Sequence, residues 1–267
     1  MKTYLSSLRK AVNEVLAFSY RNYAVTKNEF YAIFEMLFWP VISMLTIGLL
    51  GQFLSLSSRE IAFILIGVIS LSVIQIVQID VSYVVLLDMW SLSLKYTVVT
   101  PVPLYRMVIG AWFFGIFRGL ISFVILVILS QKFFGFVLEI PLNAIFIFLT
   151  GIFLCSLLIG ITNCTLILVF GRRAEIFAWT LTATIMIFCG IYYPVNILPE
   201  PFKTLGLLIP ITHFLEYFRT FYGFEATWQP LISGFGEVFV YLLFLLILAE
   251  VSMNRARKNG LVMKLSG

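Results

Sequence analysis

The sequence predicts an all-α integral membrane protein with six transmembrane helices. Of the 267 residues, 61% are apolar and only 12% are charged, whereas soluble domains are about 45–50% apolar and about 25% charged. The mean hydropathy is +1.04, and a soluble fold of this size could not bury so many apolar side chains. The apolar residues also form continuous runs, unlike the alternating strands of a membrane β-barrel.

Residues 1–30 precede the first apolar run and have the spacing of an amphipathic helix. Apolar residues recur every three or four positions at Leu5, Leu8, Val12, Val15, Leu16 and Tyr20. Charged and polar residues fall largely on the other side, as in helices that lie in the membrane interface. Two roles stay open for this helix: it lies on the membrane surface, or it also contacts a cytoplasmic partner.

Six apolar runs are candidates for the spans, because a hydrocarbon core of about 30 Å requires about 20 helical residues. They are Tyr31–Leu50, Ile61–Asp80, Met107–Leu129, Leu142–Val169, Ile176–Tyr193 and Leu231–Val251. The sequence thus predicts one transmembrane domain over 1–267, with the interfacial helix in 1–30, the six-span bundle in 31–251 and a basic cytoplasmic tail in 252–267.

The distribution of Lys and Arg predicts the orientation in the membrane. With both termini in the cytoplasm, 13 of the 18 Lys and Arg residues fall inside, 4 fall outside, and Arg118 lies within a span. Cytoplasmic loops of multi-pass proteins carry such an excess. The basic residues cluster between apolar runs instead of on one folded face, so the net charge of +5 does not indicate nucleic-acid binding.

The predicted cytoplasmic loop between the second and third spans contains an apolar segment. Asp88 is a suitable helix N-cap, and Pro101 and Pro103 prevent a helix from continuing into the next span. We therefore predict a short helix that exposes several apolar side chains, namely Met89, Trp90, Leu92 and Leu94. Either the bilayer or another protein covers them.

The predicted outer segment, Pro194–Pro230, is rich in proline yet too apolar for a free loop. Irregular backbone of this kind must be sheltered by protein or dip into the membrane. We predict two short helices, Phe202–Leu208 and His213–Tyr222, that form a re-entrant or interfacial cap. Within the second, His213, Glu216 and Arg219 share one helical face, which is either a solvated stripe or a contributor to substrate release.

Arg118 lies near the centre of the third predicted span. A central Arg costs about 2.5–3.5 kcal/mol on insertion scales, so it is expected to face protein or water and to have a partner. Glu35 in the first span is the nearest candidate, and Glu237 in the last is the second. The pair is either structural or lines a substrate path. Gly115 and Gly119 flank Arg118 and allow another helix to approach closely.

Several kinds of enzyme are disfavoured by the residues present. The chain contains no nucleotide-binding Gly-x-x-x-x-Gly-Lys-Ser/Thr run. The single His213 has no neighbouring ligand at metal-binding spacing. The three cysteines fall within predicted spans, where cysteine is a small apolar residue. We therefore expect no catalytic residue, metal or cofactor in this chain.

Three groups of motifs follow one another along almost the whole chain. The first is Glu35-Met36-Leu37-Phe38-Trp39-Pro40 followed by Gly48, and the second is Asp88-Met89-Trp90 followed by Thr100-Pro101-Val102. The third and most specific is Tyr192-Tyr193-Pro194-Val195-Asn196-Ile197-Leu198-Pro199, then Leu208-Ile209-Pro210-Ile211-Thr212-His213 with Glu216 and Arg219. Together they resemble the ABC-2 type permease family, the membrane subunits of bacterial and archaeal ATP-driven exporters.

The resemblance implies a six-span permease of the prokaryotic plasma membrane that forms a homodimer or heterodimer around a central path. Separate ATPase subunits would bind ATP-Mg beneath it, so the chain itself would need no cofactor. An ATPase-coupling helix would include Asp88, Met89, Trp90, Ser91 and Leu94. An outer gate would include Tyr193, Pro194, Leu198, Pro199, Pro210, His213, Glu216 and Arg219.

On this basis the expected function is outward transport of a hydrophobic or amphiphilic substrate, such as a drug, lipid or peptide. The alternative is a secondary transporter driven by an ion gradient, which requires acidic residues or broken helices near the midplane. The acidic residues instead fall towards the ends of the predicted spans, which favours the ATP-driven class.

Overall fold

The structure is a computed structural model that describes residues 2–28, 30–226 and 229–258, with the side chains of residues 8–27, 34 and from 36 onwards within those ranges. The described chain is all-helical and contains no β-strand. Its α-helices are α1 (Lys2–Asn28), α2 (Phe30–Phe53), α3 (Ser58–Trp90), α4 (Leu94–Val99), α5 (Leu104–Phe134), α6 (Leu142–Phe170), α7 (Phe177–Phe188), α8 (Phe202–Leu207), α9 (Pro210–Thr220) and α10 (Pro230–Lys258).

Five helical stretches of the described chain are long and apolar enough to cross a membrane. They are Met36–Phe53, Ser58–Trp90, Leu104–Phe134, Leu142–Phe188 and Pro230–Lys258. The predicted fifth span, Ile176–Tyr193, is not a long helix of its own. It contains the 12-residue α7, which joins α6 through a 3-10 turn at Gly171–Ile176.

The chain reverses direction at this turn. Asn163 on α6 donates from Nδ2 to Oε1 of Gln78 at 2.7 Å, and Gln78 in turn donates to the carbonyl of Ala178 on α7 at 3.1 Å. Residues on both sides of the turn therefore contact the same residue of α3. Gly171 has φ of 70° and ψ of −149°, a backbone conformation that glycine adopts without steric cost.

α7 and the residues after it then run back along α3. At the turn, Trp90 donates from Nε1 to Oε1 of Glu175 at 2.9 Å. After α7, the carbonyl of Ile191 lies against Gly67, where an added Cβ would be only 1.9 Å from that oxygen. The segment 175–191 thus passes from the C-terminal end of α3 towards its N-terminal end.

α3 is the central helix of the fold. It is buried along most of its length, whereas few side chains of α2 and α10 are buried. Glycines let two helices approach it closely, because an added Cβ would lie 2.7 Å from Val77 at Gly119 and 2.5 Å from Val81 at Gly160. The Gly115–Gly119 pair therefore packs α5 on α3.

The predicted second span and the helix after it have different bounds in the structure. α3 continues ten residues beyond Asp80, and the short helix is α4, which begins at Leu94. Asp88 is therefore not an N-cap: it lies in the last turns of α3, and its carboxylate accepts from Ser93 at 3.1 Å. Met89 and Leu94 are buried in the core. The apolar residues after Asp80 extend the helix because they pack inward.

Several polar and charged residues of α1 face the protein. Glu14 pairs with Arg106 of α5, Arg21 pairs with Asp88 at 3.2 Å, and Asn22 donates to the backbone carbonyl of Asp80 at 3.0 Å. The apolar stripe at Leu8, Val12, Leu16 and Tyr20 is exposed instead. The polar residues turn inward because their partners are on α3 and α5.

The two short helices predicted after α7 are observed as α8 and α9 with slightly shifted bounds. Their apolar side chains are sheltered by protein: Phe214 and Phe218 are fully buried in the core. At the other end of the molecule, part of the predicted tail is helical, since α10 extends to Lys258. Residues 259–267 of that tail lie outside the described residues.

Gly67→Ala tests whether α7 and its following segment pack on α3. The new methyl group clashes with the carbonyl of Ile191, so we expect the free energy of unfolding to fall by about 1–3 kcal/mol. Gly236→Ala in α10 is the matched control, because nothing lies within 4 Å of its added Cβ. Unfolding in mild detergent, followed by tryptophan fluorescence, provides the comparison. Equal stability of the two variants would contradict this packing.

Candidate functional site

The central buried charge of the bundle is paired. Arg118 on α5 donates from Nη1 to Oδ1 of Asp80 on α3, and their side chains are 9% and 1% exposed. The Nε of Arg118 also contacts Sδ of Met36 at 3.2 Å. A buried ion pair balances the desolvation of its charges only when both partners remain in place. The pair therefore fixes α3 against α5.

The sequence-based choice of partner for Arg118 is corrected by this geometry. Glu237 instead contacts His213, with 3.2 Å between Oε1 and Nε2. The side chain of Glu35 lies outside the described residues. The sequence does not single out Asp80 as the partner, because this residue falls at the end of the second predicted span. The signal was present in the apolar residues that follow it, which extend the helix to Trp90.

A cavity of about 590 Å³ adjoins the ion pair. α1, α2, α3, α5 and α7 all contribute to its wall. Polar groups from different helices, including those of Asn22, Gln75, Asp80 and Arg118, face it together with Trp39 and Trp179. A cavity of several hundred Å³ with a mainly apolar wall and a few polar groups is typical of a small-molecule site.

Two polar atoms of residues that line this cavity have no hydrogen-bond partner within the described residues. They are Oδ2 of Asp80 and Oγ1 of Thr182, and both are buried. Almost all buried polar groups in proteins are hydrogen-bonded, and an unpaired one costs about 1–3 kcal/mol. Both atoms therefore lack a partner at residues of the cavity wall, and a ligand donor can reach them only when the side chains that cover them move aside.

A polar network behind the cavity holds three helices in register. Asn163 on α6 donates to Oε1 of Gln78 at 2.7 Å and contacts Oγ of Ser82 at 3.1 Å. Ser82 donates to the carbonyl of Gln78 at 2.8 Å. Gln78 itself also lines the cavity. Oδ1 of Asn163 has no partner within the described residues, so the network is satisfied only in part, while its hydrogen bonds join this wall of the cavity to α6.

The segment expected to be a coupling helix is exposed only in part. Met89 and Leu94 are buried, and Trp90 donates to Glu175 while remaining 39% exposed. Ser91 lies just beyond α3 and donates to the carbonyl of Leu87 at 2.7 Å. The exposed apolar residues are Leu92, Tyr96 and Val99, which we name the α4 surface.

At the opposite end, Arg219 joins three segments of the chain. It donates to the carbonyls of Gly190 at 2.6 Å, Phe63 at 3.0 Å and Ile191 at 2.9 Å, and its guanidinium lies 3.4 Å from the centre of the Phe63 ring. Burial lowers the pKa of Arg219 to about 9. Arg219 is thus a buried clamp and does not belong to a solvated stripe.

His213 is also buried rather than solvated. Its Nε2 contacts the carbonyl of Leu207 at 2.9 Å in addition to Glu237. Glu216 is half-buried on the same helix. His213 thus contacts α8 and α10, whereas Arg219 contacts α3 and the segment after α7.

The remaining residues of the predicted outer gate follow α7. Tyr193 donates from its hydroxyl to the carbonyl of Ile187 at 2.5 Å. Pro194 and Leu198 bound the 3-10 turn at Val195–Ile197. Pro199 is exposed, and Pro210 is the buried first residue of α9.

The part of the chain that the structure describes contains no group of three His, Cys, Asp or Glu residues that could hold a metal ion. The arrangement of these side chains therefore gives no support for metal binding there. The cysteines at 155, 164 and 189 are free thiols and are buried.

Comparison with known proteins gives one homologous segment. No protein-family model matches this chain. The chain is similar to an uncharacterized protein of Archaeoglobus fulgidus, with 63% identity over 62 residues. These residues make up 23% of the present chain and 97% of the relative. The chain therefore belongs to the same protein family as that relative, whose name carries no functional description.

A double-mutant cycle tests the Asp80–Arg118 pair. Asp80→Leu or Arg118→Met alone leaves one buried charge unpaired, so each should lower the free energy of unfolding by about 3–5 kcal/mol. The double variant removes both charges and should recover most of that loss. Unfolding of all four proteins in the same detergent measures the coupling. Simple additivity of the two single effects would show that the side chains do not interact.

Proposed function

We propose that this chain is the membrane-spanning permease subunit of an ATP-driven ABC exporter. It moves a hydrophobic or amphiphilic substrate outward, and a separate ATPase subunit binds ATP-Mg and supplies the energy. The α4 surface is the observation that carries this proposal. Tyr96 and Val99 are 69% and 83% exposed, and apolar side chains this exposed beyond a long helix favour a protein contact.

The position of α4 suits the transmission of force. Leu94 anchors it in the core next to α3, and Arg257 of α10 donates to the carbonyls of Val98 at 2.9 Å and Thr100 at 3.2 Å. A partner that pushes on α4 therefore pushes on two long helices. From Trp90, α3 reaches Asp80 after ten residues, or about 15 Å. The docking surface and the cavity share one helix.

The proposed topology has six crossings with both termini in the cytoplasm of a prokaryotic cell. Five long helices support five of them, and α7 with the irregular residues after it would form the remaining one along α3. Basic residues gather at the Trp90 end, including those of α1, of the turn after α6 and of the end of α10. The α8–α9 segment would then be the re-entrant outer cap, and two permeases, identical or different, would enclose the path.

A secondary transporter is the second candidate, and Asp80 is the observation that favours it. Buried acidic residues within a span are typical of proton and ion pathways, and Asp80 lines a cavity. Its pairing with Arg118 reduces its suitability as a site for a coupling ion. Transport into vesicles distinguishes the classes, because an ATP-driven exporter requires nucleotide and its ATPase, whereas a secondary transporter requires only the gradient.

Asp substitutions on the α4 surface test the docking of an ATPase. The double variant Tyr96→Asp/Val99→Asp places charge in an apolar contact, so ATPase recovered with the tagged chain from native membranes should fall about tenfold or more. Mass spectrometry measures the ratio of recovered ATPase to tagged chain. Trp90 is a poorer choice because it bonds Glu175. Ile197→Asp, exposed at the other end of the molecule, is the matched control. Undiminished ATPase recovery with the α4 variant would overturn the docking assignment.

Labelling of introduced cysteines tests the orientation. The native cysteines are buried, so a membrane-impermeant maleimide should react mainly with new exposed sites. In intact cells we expect Glu200→Cys to be labelled and Lys95→Cys to be labelled only after the membrane is opened. Labelling of both positions from the same side would contradict the proposed topology.

A further inference from the structure

We propose that the cavity beside Asp80 and Arg118 binds the headgroup of a zwitterionic amphiphile that carries a primary ammonium and an anionic group, as a phosphoethanolamine lipid does. The role of this ligand as transported substrate rests on the proposed function. Binding itself is a property of the isolated chain, so the two are tested separately.

The charges of the cavity suit a zwitterion better than an ion of either sign. Asp80 and Arg118 neutralise each other, so a ligand with net charge would meet one attractive and one repulsive neighbour at close range. A zwitterion can direct its ammonium to the carboxylate and its anionic oxygen to the guanidinium. The four charges then alternate in sign, and none is left buried without a partner.

Specific donors and acceptors remain for both ends of the headgroup. Oδ1 of Asp80 bonds Arg118, whereas Oδ2 makes no hydrogen bond within the described residues. Within the described residues, Arg118 makes hydrogen bonds from Nε to Met36 and from Nη1 to Asp80. Its planar guanidinium has five N–H donors in all. Once the side chains that cover Oδ2 move aside, an ammonium N–H can donate to Asp80 while Arg118 donates to a phosphate oxygen.

The rest of the wall suits an alkyl chain. Trp39 and Trp179 line the cavity and are 62% and 51% exposed, so the cavity opens beside them. Trp side chains are amphipathic and are enriched at the membrane interface, where lipid headgroups meet the tails. A volume of about 590 Å³ accommodates a headgroup and part of a chain, and the remaining chain can leave past the tryptophans.

The position of α1 is consistent with a headgroup at this level. Asn22 and Thr26 of α1 form part of the wall, and Asn22 donates to the backbone carbonyl of Asp80. α1 is the helix whose residue pattern is that of an interfacial segment. A ligand that enters from the bilayer would therefore meet polar groups at the depth where its own polar end lies.

Binding is measured with the full chain purified in a nonionic detergent, without any ATPase. Dodecanoyl lysophosphatidylethanolamine is titrated, and tryptophan fluorescence is recorded because Trp39, Trp90 and Trp179 line the cavity. We expect saturable binding, with affinity about tenfold weaker for the lysophosphatidylcholine and lysophosphatidylglycerol of the same chain length. The first lacks N–H donors, and the second lacks the cation.

Three variants connect the binding to the site. Asp80→Asn should weaken the affinity for the ethanolamine lipid about tenfold, whereas Glu237→Gln, a matched carboxyl-to-amide change on α10, should not. Gln75→Trp adds bulk at an exposed position of the wall and should weaken binding of all three lipids. Asp80→Leu/Arg118→Met should retain the fold and bind the three lipids equally. Elution volume and thermal stability identify any unfolded variant.

Three results would overturn the proposal. One is equal affinity of the unmodified chain for the three lysolipids, and another is unchanged headgroup preference in the Asp80→Leu/Arg118→Met variant. The third is affinity for free phosphoethanolamine equal to that for the lysolipid, which would indicate a soluble zwitterion in place of an amphiphile. Failure to recover an ATPase with the chain would leave the measured binding intact and would refute only the transport function.

Discussion

The close contact between α3 and α5 is the constraint on which the rest of the fold depends. Glycines bring the two helices together, and this closeness lets Arg118 reach Asp80. Neither charge is tolerable alone in an apolar interior. The pair therefore specifies the register of the helices as well as their contact. α6, α7 and α1 are then arranged around α3, and the cavity is the space left next to the ion pair.

The length of α3 connects features that the sequence suggested separately. One end of the helix is anchored beside Arg219 through the carbonyl of Phe63, and the other ends at the turn before α4. The cavity lies between them. On the proposed function, a displacement of α4 would be passed along α3 to the cavity wall and to the contacts of Arg219. This arrangement fits a protein that converts motion received from a partner.

Much of the helical architecture could be predicted from the sequence because apolar runs of span length have few alternatives in a bilayer. The starts of α6 and α10 and the positions of α8 and α9 were predicted to within a few residues. The inward face of α1, the length of α3 and the partner of Arg118 were not. Each depends on a contact between residues far apart in the chain, such as that of Arg21 with Asp88. The spacing of residues within one helix does not reveal such contacts.

The two buried arginines have different kinds of partner. Arg118 has a carboxylate partner, so its site is neutral overall and can admit a zwitterion. Arg219 donates instead to three backbone carbonyls, which belong to α3 and to the irregular segment after α7. These neutral carbonyls solvate the guanidinium without neutralising it, and they can be exchanged for water as the segments separate. On the proposed function, the outer end is therefore the one whose closure is reversible, while the ion pair keeps the helices below it in register.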